Sequence, residues 1–87
     1  MTNYKVVGYD TDGEPLSVIE AKAETAGLAV IGACAEWGKA PPRVKVWAWH
    51  KERGKESWLE CYLAPDFRKI LATLYPANGD QSDLQSA

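Results

Sequence analysis

The chain has 87 residues, 46% of them hydrophobic and 25% charged, with a net charge of −2. That length holds one core, and that composition excludes a disordered chain. No apolar run nears the roughly 18 residues of a membrane-crossing helix, and the mildly acidic total weighs against a generally basic nucleic-acid binder.

The N-terminus, "MTNYKVVGYD", has neither the basic start nor the apolar stretch of a signal peptide, so a cytoplasmic protein is expected. Residues 4–9, "YKVVGY", predict a strand. "DTDGEP" supplies turn residues, with Gly13 free to take a positive φ, and "LSVIE" (16–20) pairs back to close a hairpin. From about Ala23 to Trp37 the period becomes helical. Ala23, Ala26, Gly27, Val30, Ile31, Cys34 and Trp37 fall on the predicted buried side, with Thr25, Ala29, Gly32 and Ala33 outward. Gly38 ends that helix as a left-handed cap, and Pro41-Pro42 prevent its continuation.

"RVKVWAWH" (43–50) and "SWLECYL" (57–63) predict a second hairpin around Gly54. Pro65 and Asp66 open a second helix with Phe67, Ile70, Leu71 and Leu74 as its apolar stripe, stopped by Pro76. The expected fold is α+β: a small antiparallel sheet in β-β-α-β-β-α order with the long helix packed on one face. A single domain is expected over residues 1–76, followed by a polar, disordered tail at 77–87.

Strand alternation assigns faces. Val44, Val46, Ala48, Leu59, Cys61 and Leu63 form the aliphatic floor for the first helix, joined by Tyr4, Val6, Leu16 and Val18. The opposite face collects Lys5, Val7, Tyr9, Ile19, Lys45, Trp47, Trp49, Trp58, Glu60 and Tyr62. Three of the four tryptophans lie within residues 43–63, which is too aromatic for an ordinary solvated sheet face. Three arrangements account for such a face: coverage by the C-terminal helix, a homodimer, or a binding surface. Cross-strand aromatic pairing also stabilises short hairpins, and Trp47 or Trp49 beside Trp58 can serve that end.

Charge is uneven in the same region. Residues 39–56 carry six basic groups against Glu52 and Glu56, a local excess of four on a chain whose remainder therefore carries −6. Arg43, Lys45, Trp47, Trp49, Lys51, Arg53, Trp58 and Tyr62 are accordingly the candidate partner-binding residues. Aromatic residues and arginine bury large areas at little rotamer cost and dominate protein interfaces. The same set resembles a stacking platform for single-stranded nucleic acid, with phosphates met by the basic groups, which is the second choice of partner.

Catalysis has little support. His50 is the single histidine, near a strand end, and no serine or cysteine has a partner implied by spacing. Gly38-Lys39 lacks the preceding glycines of a phosphate loop, and Asp10 and Asp12 belong to a turn. Cys34 and Cys61 form no disulfide framework and, with one histidine, no zinc pattern. They are expected as reduced thiols in the core. The chain is thus expected to be non-enzymatic, with no metal, cofactor or membrane partner.

The first hairpin, the alanine-rich stretch "AKAETAGLAVIGACAEWG" (21–38) ending in Glu36-Trp37-Gly38, and the following hairpin resemble small phage-encoded anti-CRISPR proteins acting on type I systems. The likeness covers the helix and its flanks, about a third of the chain. That group shares no single fold or universal motif, so no functional residue is carried over. The resemblance implies a non-enzymatic inhibitor in the bacterial host cytoplasm, docking on an RNA-guided surveillance complex or its nuclease. A second likeness, to small β-β-α antitoxin domains, also implies a protein partner.

Overall fold

The computed structural model describes residues 1–75; the expected tail at 77–87 lies outside the described residues. The protein is an α+β domain with a four-stranded antiparallel sheet and two helices. Along the chain run β1 (Thr2–Tyr9), β2 (Pro15–Ala23), α1 (Ala26–Trp37), β3 (Arg43–Glu52), β4 (Lys55–Cys61) and α2 (Pro65–Leu74). Their order in the sheet is β2-β1-β3-β4. Two hairpins therefore meet through the central β1–β3 pairing, and β2 and β4 form the edges.

The first hairpin is organised by Asp10. Its carboxylate Oδ1 accepts from the backbone N–H of Asp12 at 2.8 Å and of Glu14 at 2.9 Å, the self-contained turn for which aspartate is suited. Gly13, at φ 88°, completes the reversal. Gly8 pairs with Ser17 but Tyr9 pairs with Pro15, so one extra residue, Leu16, is accommodated in β2 as a bulge.

That register corrects the expected faces of β2. Ile19 stands opposite Val6 and packs against the core, whereas Val18 stands opposite Val7 on the other face. Leu16 and Val18 are each 53% exposed and are not part of the floor. "LSVIE" has apolar side chains on both faces, so its alternation alone does not choose between them. The turn and bulge choose, and a one-residue slip exchanges every side chain between faces.

α1 starts three residues later than its periodicity predicts. Lys22 and Ala23 remain paired with Asn3 and Thr2, and Thr25 caps the helix by accepting from the Leu28 N–H at 3.1 Å. Gly38, at φ 77°, closes it with its N–H directed at the Cys34 and Ala35 carbonyls. Ala29, Val30, Ala33 and Cys34 are its buried residues, so Ala29 and Ala33 face inward, contrary to expectation. Small side chains let this helix lie close to the sheet, and Val6, Val30, Val46 and Cys34 are fully enclosed. Burial pushes the Cys34 thiol up from its ordinary pKa, keeping it protonated. Both cysteines are free thiols, Cys61 being only partly buried.

α2 opens with Pro65 at its start and Asp66 in its first turn. It packs beside α1: the space a side chain at Gly27 would need is met by the Phe67 ring at 3.1 Å. Leu71 is buried and Phe67 and Tyr75 are partly buried against the same core. Ile70 and Leu74, expected in the buried stripe, are 49% and 53% exposed. The inward positions are 67, 71 and 75, a four-residue repeat that follows one edge of the helix. No helix among the described residues is long and apolar enough to cross a membrane.

Candidate functional site

Strand pairing carries the aromatic residues onto the sheet face away from α1. Lys5 stands opposite Trp47, and Trp47 opposite Glu60. Trp49 stands opposite Trp58, and Val7 opposite Lys45. None of these belongs to the set that includes Val6, Val46, Cys61 and Ile19, which pair among themselves under the helices. Because α2 also packs on that helical side, among the described residues neither helix covers the indoles.

The indoles are ordered by one another and by a lysine. Trp49 and Trp58 meet edge to face, ring centres 5.0 Å apart at 64°, the arrangement that the aromatic quadrupole favours. The Lys5 ammonium lies 5.2 Å from the Trp47 ring centre and 5.1 Å from that of Trp58, a double cation–π contact. Lys45 lies 5.9 Å above Tyr9 in the same manner. All three tryptophans are partly buried, each ring shielded by these neighbours while part of its surface stays open. The fourth, Trp37, belongs to the other face, where its indole N–H donates to the Ser17 hydroxyl at 3.0 Å.

Seven of the eight candidate residues share this face. Trp47, Trp49 and Trp58 form its centre, Arg43 and Lys45 extend from it along β3, and Tyr62 continues the β4 alternation, 82% exposed. Lys51 is on the same face but its ammonium is 3.5 Å from the Glu56 carboxylate, so its charge is offset. Arg53 is set apart in the β3–β4 turn, where it and Gly54 both adopt positive φ. The corrected β2 register adds Val18, Glu20 and Lys22, which sequence alternation did not assign here. Asn3, Glu20, Ala21, Lys22, Trp49 and Trp58 line a shallow depression at one end of the face. Its signal in the sequence is the Asp10 turn, which fixes how β2 returns.

His50 faces away from this site, with Nε2 3.0 Å from Glu52 Oε1 and half its side chain exposed. Among the described residues no group of three or more His, Cys, Asp or Glu side chains is placed to hold a metal ion. Comparison with protein-family models, with curated proteins and with solved structures finds no match to this chain.

Proposed function

We propose that this chain is a non-enzymatic, stoichiometric protein-binding domain whose docking surface is the aromatic sheet face. One observation carries the reading: both helices pack on the opposite side of a single-layer sheet, so Trp47, Trp49 and Trp58 remain reachable. A pre-ordered group of indoles with exposed tyrosine and basic neighbours is the composition in which interface hot spots are found. Ordering of the rings by Lys5 and by each other lowers the entropy lost on docking. The likeness to type I anti-CRISPR proteins names a partner class, a CRISPR surveillance-complex subunit or its nuclease. The domain would then act as an inhibitor, encoded by a phage or mobile element, that occupies a protein or DNA-binding surface.

Arg43 and Lys45 beside Trp47 favour a second reading, a single-stranded nucleic-acid module. A labelled oligonucleotide titrated at two salt concentrations, followed by tryptophan fluorescence, separates the two. Protein docking predicts no appreciable quenching, whereas strong salt-sensitive quenching overturns it. In the same protein Trp49→Ala abolishes retention of a type I surveillance complex on immobilised domain while the far-ultraviolet circular dichroism is unchanged. Unchanged retention would remove the aromatic face from the binding surface.

A further inference from the structure

The open face holds cations that its own carboxylates do not pair. Among the described residues the ion pairs are His50–Glu52 and Lys51–Glu56, and neither engages Lys5, Arg43 or Lys45. Lys5 is the unusual one. It is partly buried, its ammonium is held between two indoles, and no carboxylate among the described residues comes within 4.0 Å of it. Rings satisfy a cation through their faces but accept no strong hydrogen bond from it. The ammonium donors at the centre of the patch are thus available to an incoming acceptor, in surroundings less polar than water, where a charge-assisted bond is strengthened.

Resting on the docking-face reading, we propose that the partner presents a carboxylate-bearing, otherwise apolar protein segment, and that Lys5 is the centre that receives the carboxylate. Three observations favour this chemistry over a nucleic-acid strand. Lys5 covers part of the Trp47 and Trp58 faces and Trp49 abuts Trp58, which takes part of these three ring faces away from base stacking. Glu20 and Glu60 occupy the same cross-strand row as Lys5 and Trp47, so a continuous polyanion meets like charge on both sides of the central cation. A single carboxylate set between them does not follow that path. Val18 and Tyr62, both largely exposed, give such a segment apolar contacts around its acidic anchor.

The test uses the full chain, isotopically labelled, and three probes: a blocked hexapeptide of alternating leucine and glutamate, a hexaglutamate, and a twelve-residue oligothymidylate. The alternating peptide is expected to shift the Trp49 and Trp58 indole N–H resonances and to bind more tightly than either other probe. Lys5→Met should weaken it about tenfold or more, and Lys5→Arg, which keeps the charge, should restore most of that loss. Equal binding by Lys5→Met overturns the role of Lys5, yet leaves the docking face standing if Trp49→Ala still abolishes binding. Tighter binding of the oligothymidylate overturns the protein-docking reading as well. Absence of binding by every probe overturns the carboxylate assignment.

Discussion

Arg53 is the described non-glycine residue with a positive φ, 51°, and it precedes Gly54 at 78°. With Glu52 paired to Lys55, the two form a two-residue hairpin turn of the type I′ kind, whose twist suits antiparallel strands. Arginine is poorly matched to the left-handed region, because its Cβ crowds the following carbonyl. Asparagine tolerates that region through local hydrogen bonding, and Asn-Gly is the preferred pair here. Arg53→Asn is therefore expected to raise stability by about 1 kcal/mol, roughly 4–8 °C in Tm for a domain of this size. A thermal melt with no rise, or a fall, would mean that the guanidinium contributes more at the turn than its backbone strain costs. Since Arg53 lies outside the aromatic rows, the same variant should leave docking on the open face unaltered.

At the scale of elements, two glycines mark opposite situations. Gly8 sits under the α1–β3 connection, where an added Cβ would lie 2.6 Å from Pro41 Cγ and 3.4 Å from the Trp37 ring. A proline ring cannot rotate away, so Gly8→Ala is expected to cost about 1–3 kcal/mol through overpacking. Gly32, in the exposed interior of α1, has nothing within 4 Å of its added Cβ. Gly32→Ala should instead stabilise by roughly 0.5–1 kcal/mol, the difference in helix propensity. Urea unfolding of the pair reads both signs, and a stabilising Gly8→Ala would mean the proline loop is not seated as found. The elements themselves were largely legible in the sequence, because turn residues, the Gly38 cap and Pro65 each act locally. Legibility ended where tertiary contacts decide. Ala29 and Ala33 point inward, although neither side of this small-residue helix is strongly polar, and Leu16 and Val18 are displaced from the floor by a bulge that alternation cannot register. The aromatic rows of β3 and β4 were readable because tryptophan and lysine fall on one parity and aliphatic residues on the other, although Leu59, expected in the floor, is 50% exposed. Alternation puts Lys5 on that face, but its position between two indoles depends on the lateral order of β1 and β3, which no local pattern encodes.

For the molecule as a whole, the decisive feature is that one layer of helices serves one face of the sheet. Leu71 reaches the core from α2 and is 6% exposed, while its neighbour Ile70 is 49% exposed. Leu71→Ala should accordingly cost about 2–3 kcal/mol, from lost transfer energy and the cavity left behind. Ile70→Ala should stay within about 1 kcal/mol, since much of its surface is already in water. The spatial consequence is sharper than the energies. If α2 belongs wholly to the helical side, loosening it with Leu71→Ala leaves the Trp49 and Trp58 indole N–H resonances where they were, below the unfolding transition, while resonances of Gly27 and Leu63 shift. Movement of the two indole signals instead would place α2 against the aromatic face and make those rings part of the core. An unpartnered sheet face is an expensive thing for so small a domain to keep, since covering it would add apolar burial to a core of modest size. Its retention, with Lys5 set against the Trp47 and Trp58 rings, is the feature on which the proposed docking rests.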